Sequence, residues 1–249
     1  MRGTADDPFL DWIGALERRH LAELSFAEVR RALQSLSARY VESRRHLSRA
    51  LDGRGKRAAF ALYYAPLHFL ILRHVIAGLD GAVSPRRILD LGCGTGASSA
   101  AWALACRRRP ALTGVDLNPW ALAEARWNWK RLGVSGRASR GDVGSSSLPS
   151  KGGALLAAYT VNELSPGARA GLKARLREAI DRGVAVLIVE PISRKLTPWW
   201  SDWAETLGAR SEDWRFPVEL PPPLGELDRA AGLDHRTLTA RSLWRRGAD

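Results

Sequence analysis

Apolar positions along the first fifty residues recur at helical spacing. Leu10, Ile13 and Leu16, then Leu21 and Leu24, stand apart by three to five residues with charged side chains between them, the one-sided stripe of an amphipathic helix. Ser25-Phe-Ala-Glu28 fits a capping box, in which the serine and glutamate side chains each accept a bond from an exposed backbone N–H at a helix start. Val29, Leu33, Leu36 and Tyr40 carry this helix on, to about Leu51. Asp52-Gly-Arg-Gly-Lys-Arg57 then reads as a basic, solvated linker. Ala58 to Leu79 is apolar almost throughout, but His68, Arg73, His74 and a central Pro66 interrupt it. A membrane-spanning helix wants about 20 predominantly apolar residues without such charges. The stretch therefore reads as a buried helix pair, broken or kinked at Pro66, packed across a sheet edge or over a ligand with Tyr63 and Tyr64 available to face it.

Beyond residue 80 the period changes. Short apolar runs alternate with helical patterns: Ile88 to Leu91, Ala111 to Asp116, a short strand around Arg137 to Arg140, Ala154 to Val161, and Val184 to Val189. Runs buried on both faces, each followed by a helix, predict a doubly wound, mostly parallel sheet. Asn118-Pro119 and Ser165-Pro166 are helix starts, with a capping side chain before a proline at the first helical position. Thr197 to Trp203 opens an aromatic helix, Pro217 and Pro221 to Pro223 mark an extended connection, a short helix follows, and His235 to Arg246 is a final strand. The expected organisation is a helical region over 1–79 and an α/β domain over 80–249.

Composition adds one fact that changes the picture. The formal charge is +12 over 249 residues, almost all of it from arginine, which suits bidentate phosphate contacts. Nucleic acid, RNA first, is the partner this charge suggests, against the plainer reading of a solvated basic surface. Cys93 and Cys106 are the two cysteines, too few for a disulfide framework or a cysteine metal cluster. The five histidines show no metal-binding spacing, so no metal is expected. Asp6 and Asp7 interrupt an N-terminus without an apolar core. The expected location is the cytoplasm, with no membrane association.

The chemistry concentrates at Arg87-Ile-Leu-Asp-Leu-Gly-Cys-Gly-Thr-Gly96. A buried strand runs into Gly92, Gly94 and Gly96, and a helix opens directly behind them. Glycines there allow a sharp turn and a close ligand approach beside the positive end of the helix. The same spacing satisfies a loose dinucleotide fingerprint. Asp90 argues against it, because its carboxylate repels a pyrophosphate and attracts an ammonium group. Asp116 lies about 20 residues past Gly96, the spacing of an acid that accepts bonds from ribose hydroxyls. In open α/β sheets the reacting groups gather at the carboxyl ends of strands, which points to Thr160, Asn162 and Glu163. Asn162 is the candidate to orient an amine or hydroxyl and Glu163 to take its proton; the alternative is that both only make helix-start backbone contacts.

Asp90-x-Gly92-x-Gly94-x-Gly96 resembles motif I of the class I S-adenosylmethionine-dependent methyltransferases, whose acid and glycine loop hold the amino-acid end of the cofactor. The resemblance implies that Asp142, closing the third strand, reaches the adenine amino group and that Leu117 flanks the ring. Tyr63-Tyr-Ala-Pro-Leu67, Asp116-Leu-Asn-Pro-Trp120, Tyr159-Thr-Val-Asn-Glu-Leu164 and Val189-Glu-Pro191, with the leader Tyr40-Val-Glu-Ser-Arg44, are similar to a narrower group. This is the methyltransferase-like family associated with the small ribosomal subunit in mitochondria and bacteria. It implies a Rossmann-like class I fold with an N-terminal helical extension. It also implies S-adenosylmethionine as cofactor and small-subunit rRNA or a ribosome precursor as partner. Mitochondrial members carry cysteines that hold an iron–sulfur cluster; the two cysteines here exclude one by ligand count. Two alternatives stand beside this reading: a ribosome assembly factor that binds the cofactor without transfer, and a small-molecule methyltransferase. A cytosine-C5 transferase is trimmed for want of a cysteine near the fourth or fifth strand. An exocyclic-amine methylase is trimmed because Asn162-Glu-Leu-Ser stands where an Asn/Asp-Pro-Pro-aromatic motif is needed.

Overall fold

The structure is a computed structural model and describes residues 7–42, 51–79 and 85–248. The chain divides into two compact units, Met1–His68 with Pro217–Leu238, and Phe69–Phe216 with Thr239–Asp249. The division does not follow the boundary expected at 79/80. Residues 69–79 belong with the sheet, and the stretch 217–238 returns to the helical unit.

In the helical unit, helix α1 (Pro8–His20) starts on the Asp7 side chain, which accepts from Phe9 N–H, and buries Phe9, Trp12, Ile13 and Leu16. Ile13 and Leu16 are buried as their spacing put them, while Leu10 is exposed and Phe9 and Trp12 take its side of the stripe. Helix α2 (Phe26–Glu42) begins with the expected capping box: Ser25 N–H donates to Glu28 Oε2 at 2.8 Å and Glu28 N–H to Ser25 Oγ at 3.4 Å. Residues 43–50, with Arg44, Arg45 and His46, lie outside the described residues, as do the side chains of 38–42.

Helix α3 (Arg54–Gly78) corrects two expectations. The supposed linker is already helical from Arg54, and Gly55 lies against α2, where a Cβ would come within 3.3 Å of Ala32 Cβ. The helix is also not split at Pro66. The turn before it, Phe60–Tyr64, is wound as a π-turn, with Ala65 N–H donating five residues back to Phe60 O. That wider turn carries the chain past a residue that has no N–H of its own to give. This helix is long and apolar enough to cross a membrane, and most of it is buried within the protein.

The second unit is built on a seven-stranded sheet: β1 (Arg87–Leu91), β2 (Ala111–Asp116), β3 (Gly136–Arg140), β4 (Ala154–Ala158), β5 (Ala185–Glu190), β6 (Arg210–Pro217) and β7 (Thr237–Arg245). The spatial order is β3-β2-β1-β4-β5-β7-β6. β1 to β5 are parallel, and β7 runs antiparallel to β5. Helices α4 (Ala97–Ala105), α5 (Pro119–Arg131), α6 (Pro166–Asp181) and α7 (Trp200–Leu207) complete this unit, and α8 (Pro222–Ala230) belongs to the helical one. β6 escaped the sequence pattern because Arg210-Ser-Glu-Asp-Trp-Arg-Phe-Pro217 buries only Phe216, so its edge position leaves no apolar run to read. Because β1 to β5 are parallel, their carboxyl ends share one edge, where the candidate residues lie.

Candidate functional site

The glycine loop is held in place by the protein itself. Gly92, Gly94 and Gly96 all have positive φ, at 69°, 50° and 72°, a region that disfavours side chains. Their surroundings differ. A Cβ on Gly92 would lie 2.5 Å from Thr160, and one on Gly96 would lie 2.5 Å from Trp129 Nε1. Those two glycines are required by neighbouring side chains. Only Gly94 looks into open space, with nothing within 4 Å of a Cβ, so it is the glycine over which a ligand can approach the backbone.

The clamps around the loop come from elements far apart in sequence. Thr160, at the end of β4, donates from Oγ1 to Leu91 O at 2.9 Å. From α5, Asn128 Nδ2 donates to Thr95 O at 2.8 Å and Trp129 Nε1 to Gly96 O at 2.9 Å. Asp116 accepts from Gly94 N–H at 2.9 Å and from Asn118 N–H at 2.8 Å. Asn118 in turn caps α5 with its own side chain. Strand, loop and helix are thereby tied together before any ligand arrives.

Asp90 lies beneath this loop, buried, and its Oδ2 has no hydrogen-bond partner. Burial first, and the Asp116 charge with it, push its carboxyl up to about 7 against restraining bonds from Ser99. A buried carboxylate oxygen without a donor is costly, and a ligand bearing an ammonium group relieves that cost. Leu117, just past Asp116, is one of three large apolar side chains left exposed among the described residues. Asp142 is exposed at the end of β3; its Oδ1 accepts from Gly144 N–H at 2.7 Å. Gly141 N–H donates to Asp116 O at 3.2 Å, which brings the β3 end against the β2 end.

Asn162 and Glu163 lie in a short 3₁₀ turn, Val161–Glu163. Both functions of the Asn162 amide are engaged: Nδ2 donates to Glu190 Oε2 at 2.9 Å, and Oδ1 accepts from Trp199 Nε1 at 3.0 Å. Glu190 Oε1 also accepts the backbone N–H groups of Val161 and Asn162, at 2.8 and 3.2 Å. Burial pushes the Glu190 carboxyl up to about 8, while these backbone donors pull it back. Glu163 is raised to about 8 as well, by burial first and by the Asp116 charge second. Asp90 and Glu163 thus both feel the Asp116 charge, and Glu190 feels that of Glu163. Such a site favours a cation.

The geometry therefore gathers Asp90, Gly92, Gly94, Gly96, Asp116, Leu117, Asp142 and Glu163 at one edge of the sheet. Tyr63 and Tyr64 are occupied within the helical unit, Tyr63 on Asp228 and His235 and Tyr64 with Ser37. Glu190 and Trp199 are the residues that the sequence pattern did not assign. A charged residue ending the most apolar strand, Val184 to Glu190, is the signal that marks the first of them.

Residues 88–182 match the family model of a methyltransferase domain. The release factor glutamine methyltransferase of Bordetella pertussis is 40% identical over 73 residues, which is 29% of this chain and 26% of that protein. The chain therefore spans about a quarter of that relative's length. Among solved structures, mitomycin 7-O-methyltransferase MmcR superposes with a TM-score of 0.54 at 16% identity, covering 98% of this chain and 74% of its own. The N-methyltransferase NodS of Bradyrhizobium japonicum, solved with S-adenosyl-L-homocysteine, gives 0.48 at 15% identity over 73% and 86%. The sheet order, the antiparallel β7 and the match to MmcR establish a Rossmann-like class I methyltransferase fold. The match of residues 88–182 to a methyltransferase domain implies S-adenosylmethionine as cofactor.

Proposed function

We propose that this protein is a methyltransferase acting on, or together with, the RNA of the small ribosomal subunit. The observation that carries the transfer chemistry is the buried Oδ2 of Asp90, without a hydrogen-bond partner, beside the one glycine of the loop whose Cβ position is open. In this reading Asp90 receives the ammonium end of S-adenosylmethionine, and the Gly94 backbone lies along it. Asp116 takes the ribose hydroxyls, Leu117 covers the adenine face, and Asp142 takes the adenine amino group. When bound, the cofactor supplies an electrophilic methyl group on a sulfonium.

Glu163 is the group that takes a proton from the nucleophile. A carboxyl raised toward neutrality by burial is suited to general-base work near pH 7–8. Asn162 serves by position: Glu190 and Trp199 lock its amide, and that lock sets the direction of the turn carrying Glu163. The charge of +12 supports RNA as partner, and the motifs shared with the small-subunit family support which RNA. The same lock favours a second reading, in which the strand end is a structural junction and the protein binds the cofactor as an assembly factor without transfer.

Calorimetric titration with S-adenosylmethionine tests the first step. Binding is expected, and Asp90→Ala should weaken it by about 1.5–3 kcal/mol, the worth of a charge-assisted hydrogen bond. Absence of binding by the native protein rejects the proposal. Methyl transfer is then assayed on immature small subunits from a strain lacking this protein. Cofactor binding without transfer to any of them selects the assembly-factor reading.

A further inference from the structure

The two ends of the sheet are lined by different residues. At the carboxyl ends lie Asp90, Asp116, Asp142, Glu163 and Glu190, with Arg140 closing β3 and Arg169 bonded to Val161 O. The amino ends are arginine-rich. Arg86 and Arg87 lead into β1, and the Arg107-Arg-Arg109 run precedes β2. Lys130 and Arg131 close α5, and Lys151 precedes β4. All of these side chains are exposed.

Backbone bonds make these segments neighbours along one rim. Ala111 N–H donates to Arg86 O at 3.2 Å, and Arg86 N–H donates to Gly152 O at 2.9 Å. The Arg109 guanidinium donates to Gly133 O at 2.8 Å, joining the β2 entry to the turn after α5. Ala185 N–H donates to Gly153 O at 3.1 Å, extending the rim to the β5 entry. With strands about 4.8 Å apart, the four spacings from β3 to β5 span about 19 Å. Two acids at this end, Glu178 and Asp181 at the close of α6, are ion-paired, with Arg182 and Arg177; Glu205, near the close of α7, is exposed.

We propose that this amino-terminal rim is a docking surface for the phosphodiester backbone of RNA, at the end of the sheet opposite the cofactor corner. The inference rests on the reading of RNA as partner and adds where it binds. A polyanion is attracted to a rim of exposed arginines and lysines. Arginine dominates the rim, as phosphate recognition favours. An anionic membrane fits it less well, since stable binding there needs buried apolar area besides charge. The exposed large apolar residues among those described, Leu10, Phe26 and Leu117, all lie elsewhere in the chain.

The test compares three full-length proteins: the native chain, a rim variant with Arg86, Arg87, Arg108 and Lys151 all changed to Gln, and a control with Arg18, Arg19, Arg30 and Arg31 of the helical unit changed to Gln. Both variants lose the same charge. Binding to a single-stranded segment of small-subunit rRNA is measured from 50 to 300 mM salt. Calorimetric binding of S-adenosylmethionine serves as the check that each protein is folded. The rim variant should lose tenfold or more in RNA affinity near 0.1 M salt. Its log–log salt slope should become shallower by about 3, at roughly 0.7 per lost phosphate contact. The control should stay near the native values.

Equal losses in rim variant and control overturn the rim as the docking surface, while RNA as partner stands. So does an unchanged rim variant. A native protein that does not bind the RNA overturns both. Vesicles containing anionic lipid form the fourth arm: binding to them by the native protein, abolished in the rim variant while RNA binding persists, assigns the rim to a membrane and overturns the proposal.

Discussion

Asn162 and Glu163 are adjacent in sequence and suited to different tasks. The Asn162 amide is bonded at both ends, whereas Glu163 is raised to about 8 by burial and by the nearby Asp116 charge. Glu163→Gln keeps the size of the side chain and removes its basicity. It should leave S-adenosylmethionine affinity intact and lower single-turnover transfer by about 10²–10⁴-fold. A base works when deprotonated, so transfer by the native protein should rise with pH and level off above about 8. Bound positive charge should move that limb lower. Glu190→Gln should act differently, on thermal stability, because its carboxylate holds three N–H groups of the 161–162 turn. If Glu163→Gln lowers transfer only in proportion to folded protein, its role as base is lost. Asp90 was legible in the sequence because it stands two residues before the loop it serves. Glu190 and Trp199 were not, since their meaning lies in contacts made across 28 and 37 residues.

At the scale of elements, the central parallel strands β1, β4 and β5 could be read because they are buried nearly throughout, and their helices because glycine, proline or a cap punctuates them. What failed to show was wherever pairing or packing, and not the local pattern, decides. β6 is polar and needs β7 beside it to be a strand. Helix α3 continues past Pro66 because of a π-turn that no spacing announces. That π-turn carries Tyr63, whose hydroxyl donates to the buried Asp228 of α8; Asp228 also accepts from His235 N–H at 2.7 Å and lies 2.6 Å from His235 Nδ1. Burial pushes the Asp228 carboxyl up, but the bonds from Tyr63 and His235 outweigh it and hold the group below its ordinary 3.8. A depressed carboxyl contributes stability above its unfolded value and loses it as pH falls through the folded one. The helical unit should therefore loosen below about pH 4. Tyr63→Phe should reduce that acid sensitivity while costing about 1–3 kcal/mol at neutral pH. Urea unfolding followed at pH 3.5 and pH 7 measures both, and an acid response unchanged by Tyr63→Phe would remove the clasp as its cause.

For the whole molecule, the carboxyl edge of the sheet carries the opposite pH sign. Asp90 is raised from 3.8 to about 7, Glu163 from 4.5 to about 8 and Glu190 from 4.5 to about 8, burial being the largest cause in each. A group whose folded value lies above its unfolded one contributes stability that is complete below the unfolded value and is lost as pH rises through the folded one. Without ligand, the sheet unit should lose stability from about pH 5 to pH 8. Each kcal/mol of that loss is worth about 2–4 °C in Tm for a chain of this size. A cationic ligand beside these groups favours their charged forms, so its binding must release protons. Calorimetry at pH 7 in buffers of different ionisation enthalpy should show S-adenosylmethionine binding with net proton release, and Asp90→Asn should release fewer protons than the native chain. Both observations follow from a single arrangement: acids drawn together at one edge of a sheet, one of them with an oxygen no donor reaches. Proton uptake on binding, or a Tm that rises between pH 5 and 8, would mean that these carboxylates are already ionised and satisfied in the ligand-free chain. Asp90 would then be a packing residue beneath the loop, and recognition of the cofactor would fall to Asp116 and the Gly94 backbone.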